Sequence, residues 1–450
     1  MDLATFEKFQ FNSKEELEKK IRELGCELEL AKDFQALKRS FKIKGHEVPN
    51  AIAILPMEGC DGMPDGSPSE LTFRRYRRFS EGGAGLIWYE ACAVVSEGRA
   101  NPLQLAINKG NVEAFHRLVQ TSGIAAEKAN GYRPVTILQL THSGRYSRPF
   151  DNGAPMIPQH DPLLDPKVGI TENYPVITDA YLDRLQEHYV EAALLAKEAG
   201  FDGVDIKACH RYLVSEILAS HTRKGKYGGS FENRSRFLLE TINKVKKAVG
   251  EDFIVAVRFS VYDAHPYPYG FGVDKENEWQ ADLTEPLRLV KELVKSGVSL
   301  LSNSAGNPYY RFPQVTRPFD QPTINGDIPR EHPLKSIERL FEFTRKIQEA
   351  AGDVPVIGNG YSWLRQFIPY FGAKNLELGY CKMIGLGREA FAYPDAARDM
   401  LVKGELDPQK CCIACSKCTQ IMRDHGKTGC VIRDSEIYLP LYKEAREAGQ

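Results

Sequence analysis

Residues 178–212 read TDAYLDRLQEHYVEAALLAKEAGFDGVDIKACHRY. Thr178 stands where an N-cap belongs, and Leu182, Leu185, Tyr189, Ala192, Ala193 and Ala196 recur at the spacing of one helix face. Gly200 ends that period. A short apolar run, Gly203 to Ile206, then leads into the polar string Lys207-Ala208-Cys209-His210-Arg211-Tyr212. A helix that feeds a buried strand with chemistry at its far end is the repeating half of a βα protein.

The same alternation fills most of the chain. Further apolar runs are Ala51 to Leu55, Gly85 to Trp88, Val135 to Leu138, Ile254 to Phe259, Val298 to Ser302, Pro355 to Ile357 and Tyr380 to Ile384, which makes eight. Helical periods fit 111–128, 284–296, 334–350 and 387–402, and a further one carries Phe237, Leu238, Ile242 and Val245 before Gly250. Continuous apolar runs suit strands buried on both faces of a parallel sheet. Eight βα units predict an α/β fold, a closed (β/α)8 TIM barrel, with a doubly wound open sheet as the alternative. Ser13 is placed to cap a charged helix running to Gly25, which reads as an N-terminal appendage. Gly/Pro-rich stretches at 59–68, 149–166, 265–273 and 305–333 read as long loops. The expected organisation is an extension over 1–36, a barrel over 37–404 and a Cys-rich extension over 405–450.

Composition narrows the function classes. Lys plus Arg is 59 against 60 for Asp plus Glu, so no global basic surface invites nucleic acid. No window approaches the ~20 apolar residues of a membrane span. The N-terminus lacks a basic start and an apolar core, so a cytoplasmic location is expected.

A barrel places its chemistry at the C-terminal strand ends. Those ends read Pro56-Met57-Glu58, Gln139-Leu140-Thr141-His142, the Lys207 string, Arg258, Asn303-Ser304, Gly358-Asn359-Gly360 and Gly385-Leu386-Gly387-Arg388. Glycine turns after the last two strands expose backbone N–H groups, and Arg388 adds a cation, so a phosphate is expected there. The string Gly385-x-Gly387-x-x-Ala390 also has the look of a dinucleotide fingerprint, but no strand follows to complete the unit.

Cys412-x2-Cys415-x2-Cys418, with Cys430 after eleven residues, matches the thiolate spacing of a 4Fe-4S cluster. Structural zinc on the same four thiolates is the alternative, and Cys411 competes with Cys412 as first ligand.

Tyr227-Gly228-Gly229-Ser230-Phe231-Glu232-Asn233-Arg234, with Arg236-Phe237 behind it, resembles the YGGSxENRxRF motif of the old yellow enzyme superfamily. Gln139-Leu140 followed by His142 and Gly144-Arg145, the Pro56-Met57 strand end and Gly82-Gly83-Ala84-Gly85-Leu86-Ile87 extend the resemblance over roughly residues 37 to 435. The cysteines point to the branch of 2,4-dienoyl-CoA reductase and trimethylamine dehydrogenase.

The resemblance implies FMN, with its phosphate on the loops of Gly358, Asn359, Gly360, Gly385, Gly387 and Arg388. Gln139 would meet the pyrimidine edge and Arg258 the N1/O2 side, where a guanidinium stabilises the reduced ring. Lys207 and His210 stand in place of the family's donor pair for a substrate oxygen, and the extra positive charge of Lys207 points to a carboxylate or other anion. Tyr212 would protonate the α-carbon, and Arg211 replaces a small residue and would narrow the pocket or bind an acidic group. Glu58 stands near the flavin, where relatives set a small or thiol side chain.

The expected activity is reduction of an α,β-unsaturated carbonyl or carboxylate compound. An amine dehydrogenase of trimethylamine dehydrogenase type is the near alternative, and a Schiff-base lyase using Lys207 the distant one. Cluster-bearing relatives continue into a second dinucleotide-binding domain, but this sequence stops twenty residues after Cys430. Electrons are therefore expected from NAD(P)H at FMN, or from a ferredoxin- or flavodoxin-type carrier through the cluster. A homo-oligomer is left open.

Overall fold

The computed structural model describes residues 7–150, 152–310, 315–324 and 326–448. Two short strands, β1 (Phe41–Ile43) and β2 (His46–Val48), pair as an antiparallel hairpin. Eight more strands follow: β3 (Ile52–Ile54), β4 (Leu86–Ala93), β5 (Val135–Thr141), β6 (Gly203–Ile206), β7 (Ile254–Tyr262), β8 (Leu300–Ala305), β9 (Val356–Gly358) and β10 (Met383–Leu386). They pair in parallel, each with the next in sequence, and β10 pairs with β3, which closes the barrel. Each of the eight expected runs overlaps one of these strands, and the open-sheet alternative is set aside by the β10–β3 ladder.

Burial on both faces explains the continuous apolar runs, yet each strand still alternates. Ala53, Leu55, Leu86, Trp88, Val135, Ile137, Ile254, Ala256, Leu300, Ile357 and Met383 fill the interior as one cluster. Ile43 and Val48 of the hairpin join that cluster and plug the barrel floor. The opposite set, with Ile52, Ile87, Leu138, Val204, Val255, Leu301 and Ile384, packs against the surrounding helices.

In chain order those helices are α1 (Lys14–Glu23), α2 (Glu70–Glu81), α3 (Val112–Asn130), α4 (Asp179–Glu198), α5 (Leu213–Leu218), α6 (Phe231–Val249), α7 (Thr284–Lys295), α8 (Pro333–Ala351), α9 (Ile368–Glu377), α10 (Arg388–Ala392), α11 (Ala396–Val402), α12 (Lys417–Arg423) and α13 (Ser435–Ala448). Thr178 caps α4 by accepting from the Tyr181 N–H at 3.1 Å. The segment expected as one helix over 387–402 is two, because Pro394 has no N–H to continue the ladder.

α1 is more than an appendage. Ser13 caps it, and Leu17 and Ile21 are buried in the main core. Phe9 and Phe11 set their edges against Trp363, with centroids at 5.1 and 6.3 Å. Burying each such side chain contributes ~1.5–3 kcal/mol, enough to hold the segment on the barrel.

The C-terminal segment is clamped over the strand ends. Asp434 accepts from Arg74 at 2.7 Å and Arg78 at 2.6 Å, both on α2, and Thr428 N–H donates to Gly59 O at 2.6 Å. Among the described residues no helix is long and apolar enough to cross a membrane.

Candidate active site

The strand ends enclose an inner cavity of about 190 Å³, joined to an outer one of about 550 Å³. Glu58, Tyr212, Pro308, Tyr309, Met422 and Arg423 line both. The inner cavity gathers nearly all the residues singled out by sequence. Pro56, Met57 and Glu58 come from the end of β3, Gln139 from β5, and Lys207, His210 and Tyr212 from beyond β6. Arg258 enters from β7, Asn359 and Gly360 from beyond β9, and Gly385, Gly387 and Arg388 from β10 and its turn. Gly358 is the neighbour that does not line it.

Beneath this floor lies Asp205, which sequence reading passed over as one position of a strand. Its carboxylate accepts from Gln139 Nε2 at 2.6 Å, Trp88 Nε1 at 3.1 Å and the Arg258 backbone N–H at 2.8 Å. Burial pushes its pKa up to about 7 against the pull of those donors and of the Arg258 charge. Because the Gln139 amide nitrogen is engaged below, its carbonyl oxygen is the end left for the cavity.

At the junction of the two cavities, Lys207 Nζ lies 2.8 Å from Glu58 Oε1 and 3.9 Å from the centroid of the Tyr212 ring. Tyr212 O–H donates to Glu58 Oε2 at 3.2 Å. Burial, then the Glu58 charge, pushes the phenol well above its ordinary range, so Tyr212 keeps its proton. His210 takes a left-handed backbone (φ 62°) and sets Nε2 3.0 Å from Ser304 Oγ. Burial and the cations Arg258, Lys207 and Arg317 hold its pKa far below the usual value, so the ring is neutral. The positive charge of Lys207, expected to point to an anionic substrate, is matched within the site by Glu58.

Arg211 is not brought to the pocket. Its guanidinium is fully buried and pairs with Asp263 at 3.1 Å, Asp161 at 3.4 Å and Glu216 at 3.6 Å. It lines neither cavity.

Three further guanidiniums, from Arg388, Arg317 and Arg423, line the inner cavity. Arg388 spends one nitrogen on Pro318 O at 3.1 Å, while its Nη1, and Nε and Nη2 of Arg317, are buried without a hydrogen-bond partner. Burial first, then the charges of Arg423 and Arg388, lowers the Arg317 pKa to about 9. A Cβ on Gly387 would meet only Met57 Sδ, at 3.5 Å, and so would stand in the cavity. Orphaned donors on Arg317 and Arg388, with a Gln139/Arg258 pair lining the same cavity, fit a ligand with a polar ring and a dianionic tail, as FMN is. Arg317 escaped the sequence reading because it lies in the long 305–333 loop, where neither period nor motif marks a cavity residue.

Cys418 lies within electrostatic reach of Cys412, Cys415 and Cys430, and burial raises its thiol to about 11. Cys411 turns aside, donating from Sγ to Asp407 O at 3.4 Å and facing Glu389. Among the described residues no group of three or more cysteine, histidine or carboxylate side chains is arranged to hold a metal ion. The geometry thus lends the expected cluster no support. On the other face of the same segment, Thr419, Met422 and Arg423 line the inner cavity.

Residues 37–282 match the family described as NADH:flavin oxidoreductase / NADH oxidase. The chain is similar to an NADH oxidase of Thermoanaerobacter brockii, 28% identical over 377 residues, covering 82% of this chain and 51% of that protein. It is 27% identical over 426 residues to a cinnamate reductase of Clostridium sporogenes, covering 89% and 57% of the two. A solved 2-naphthoyl-CoA reductase complex shares the fold with a TM-score of 0.70 at 19% identity, over 92% of this chain and 58% of that one. The chain spans about half the length of the curated relatives it matches. With its closed barrel, the cavity at the strand ends and the match over residues 37–282, the chain belongs to the NADH:flavin oxidoreductase / NADH oxidase family.

Proposed function

We propose that the chain is an FMN-dependent NAD(P)H oxidoreductase of ene-reductase type, reducing the activated C=C bond of an α,β-unsaturated carbonyl compound. The observation that carries this reading is the inner cavity itself, lined both by the orphaned donors of Arg317 and Arg388 and by the Asp205-oriented Gln139 with Arg258. In this reading residues 37–404 form the flavin barrel, and 1–36 and 405–450 are extensions docked on it.

When bound, the flavin supplies hydride to the β-carbon. Arg317 and Arg388 hold its phosphate, with Asn359, Gly360, Gly385 and Gly387 leaving room for the tail. Gln139 accepts from the ring edge, and Arg258 places a positive charge where the reduced ring is negative. Lys207 and His210 donate to the substrate oxygen, which draws electrons from the double bond. Tyr212 holds the proton that the α-carbon takes, and the protein segments over the cavity exclude bulk water.

The cinnamate reductase named among the relatives supports reduction of an activated C=C bond. The amine dehydrogenase reading has no observation of its own, because Lys207 is already paired with Glu58 and its charge does not single out an amine. A Schiff-base lyase would leave Gln139 and Arg258 without a task. Four thiols are a suitable donor set for iron–sulfur or zinc. A metal–thiolate site therefore rests on spacing alone, tested by iron, sulfide and zinc assays on anaerobically purified protein, and no step above runs through it. No observation favours a ferredoxin- or flavodoxin-type donor or a particular oligomer.

Anaerobic mixing tests the function. NADH or NADPH is expected to bleach the bound flavin, and an enone or enoyl ester to restore its colour. Reoxidation by oxygen alone, with no response to any unsaturated carbonyl, would overturn the ene-reductase reading.

A further inference from the structure

Lys207 and Glu58 approach one point from strand ends 149 residues apart in sequence. Lys207 is buried and Glu58 partly buried, at 3% and 10% side-chain exposure, and the only ion pair among the described residues that either makes is with the other. Glu58 also accepts the Tyr212 hydroxyl. The neighbouring His210 is neutral and so brings no compensating charge. Arg258 faces the same cavity, where the proposed cofactor engages it.

This arrangement treats charged and uncharged acceptors differently. An ammonium has three N–H donors, so Lys207 can bond a neutral carbonyl oxygen while keeping Glu58. A free carboxylate entering the same place must give up its hydration for half an ammonium, with the Glu58 carboxylate alongside it. Discrimination of this kind comes from an unfavourable contact built against the wrong ligand.

We propose that Glu58 is a specificity-determining residue. By neutralising Lys207 it selects alkenes activated by an uncharged carbonyl, such as an aldehyde, ketone, ester or thioester, over those activated by a free carboxylate. The proposal rests on the ene-reductase reading and deepens it.

The test uses matched ligands on the flavin-loaded protein. Wild type is expected to reduce methyl cinnamate with a kcat/KM at least about tenfold above that for cinnamate, and Glu58→Gln to shift the ratio toward the acid by about tenfold or more. Calorimetric binding of the saturated analogues, methyl 3-phenylpropanoate and 3-phenylpropanoate, should show the same shift without any turnover. The double variant Glu58→Gln/Lys207→Gln carries no unpaired buried charge and should return the binding ratio toward wild type; it also serves if the single variant fails to fold. Equal handling of acid and ester by wild type, an unchanged ratio in Glu58→Gln, or a double variant that prefers the acid would each overturn the proposal. Binding that shifts as expected while no form reduces either cinnamate would overturn the function and leave the role of Glu58 standing.

Discussion

Gln139 Nε2 donates to Asp205 Oδ2 across 2.6 Å inside the barrel, and the two residues are direct partners in the β5–β6 ladder. Register thus decides which end of the amide faces the cavity. Asp205→Asn replaces one acceptor oxygen with a donor, and the Gln139 amide then loses its preferred orientation. FMN affinity should fall about tenfold, as expected for one hydrogen bond of about 1.4 kcal/mol. Fluorescence titration of flavin-free protein reads this, and unchanged affinity would count against the orienting role.

Asp205 also gives a signed pH dependence. Its pKa is raised from 3.8 to about 7 in the fold, so between those values the native state binds a proton that the unfolded chain does not. Stability from this group therefore falls as pH rises through that window, by roughly 1.4 kcal/mol per pH unit, and is flat above it. Denaturant melts of wild type and Asp205→Asn across pH 4 to 8 isolate the effect. Wild type should lose stability relative to the variant as pH rises to about 7; a constant difference would contradict the shift.

Arg317 and Arg388 are assigned to the cofactor's phosphate, and riboflavin lacks that group. Replacing either by Ala should weaken FMN by about tenfold to a hundredfold, the loss of one or two charge-assisted hydrogen bonds, while riboflavin binding stays within about twofold. Equal weakening of both ligands would place the phosphate elsewhere.

Tyr212 keeps its proton in the resting protein and points it at Glu58. Tyr212→Phe should slow reoxidation by an unsaturated carbonyl by ~10²–10⁴-fold, with flavin reduction by NAD(P)H little changed. Stopped-flow measurement of the two half-reactions separates them. Equal slowing of both would assign Tyr212 to packing or cofactor placement.

The barrel was legible because each strand is an apolar run ended by polar residues, and α4 shows its cap, stripe and glycine stop in plain order. The hairpin β1–β2 was not, since two strands of three residues offer no period. Its one signal is the Lys44-Gly45 turn, where both residues have positive φ, 50° and 87°, the backbone of a tight hairpin turn. Strand-end residues were readable by position, which is why Gln139, Lys207, His210 and Arg258 converge where expected. What sequence could not show was pairing at a distance. Nothing local says that Glu58 meets Lys207, or that Arg211 turns into a buried acidic nest while its neighbours His210 and Tyr212 face the cavity. Asp205 was hidden in the same way, by the inward parity of a strand read only as apolar.

Acid release of the small molecule from freshly purified protein, followed by chromatography against authentic FMN, FAD and riboflavin, addresses the cavity itself. Roughly one FMN per chain, or stoichiometric uptake by flavin-depleted protein, is the expected result. Protein that remains colourless in excess FMN, with no change in the flavin's fluorescence, would contradict it.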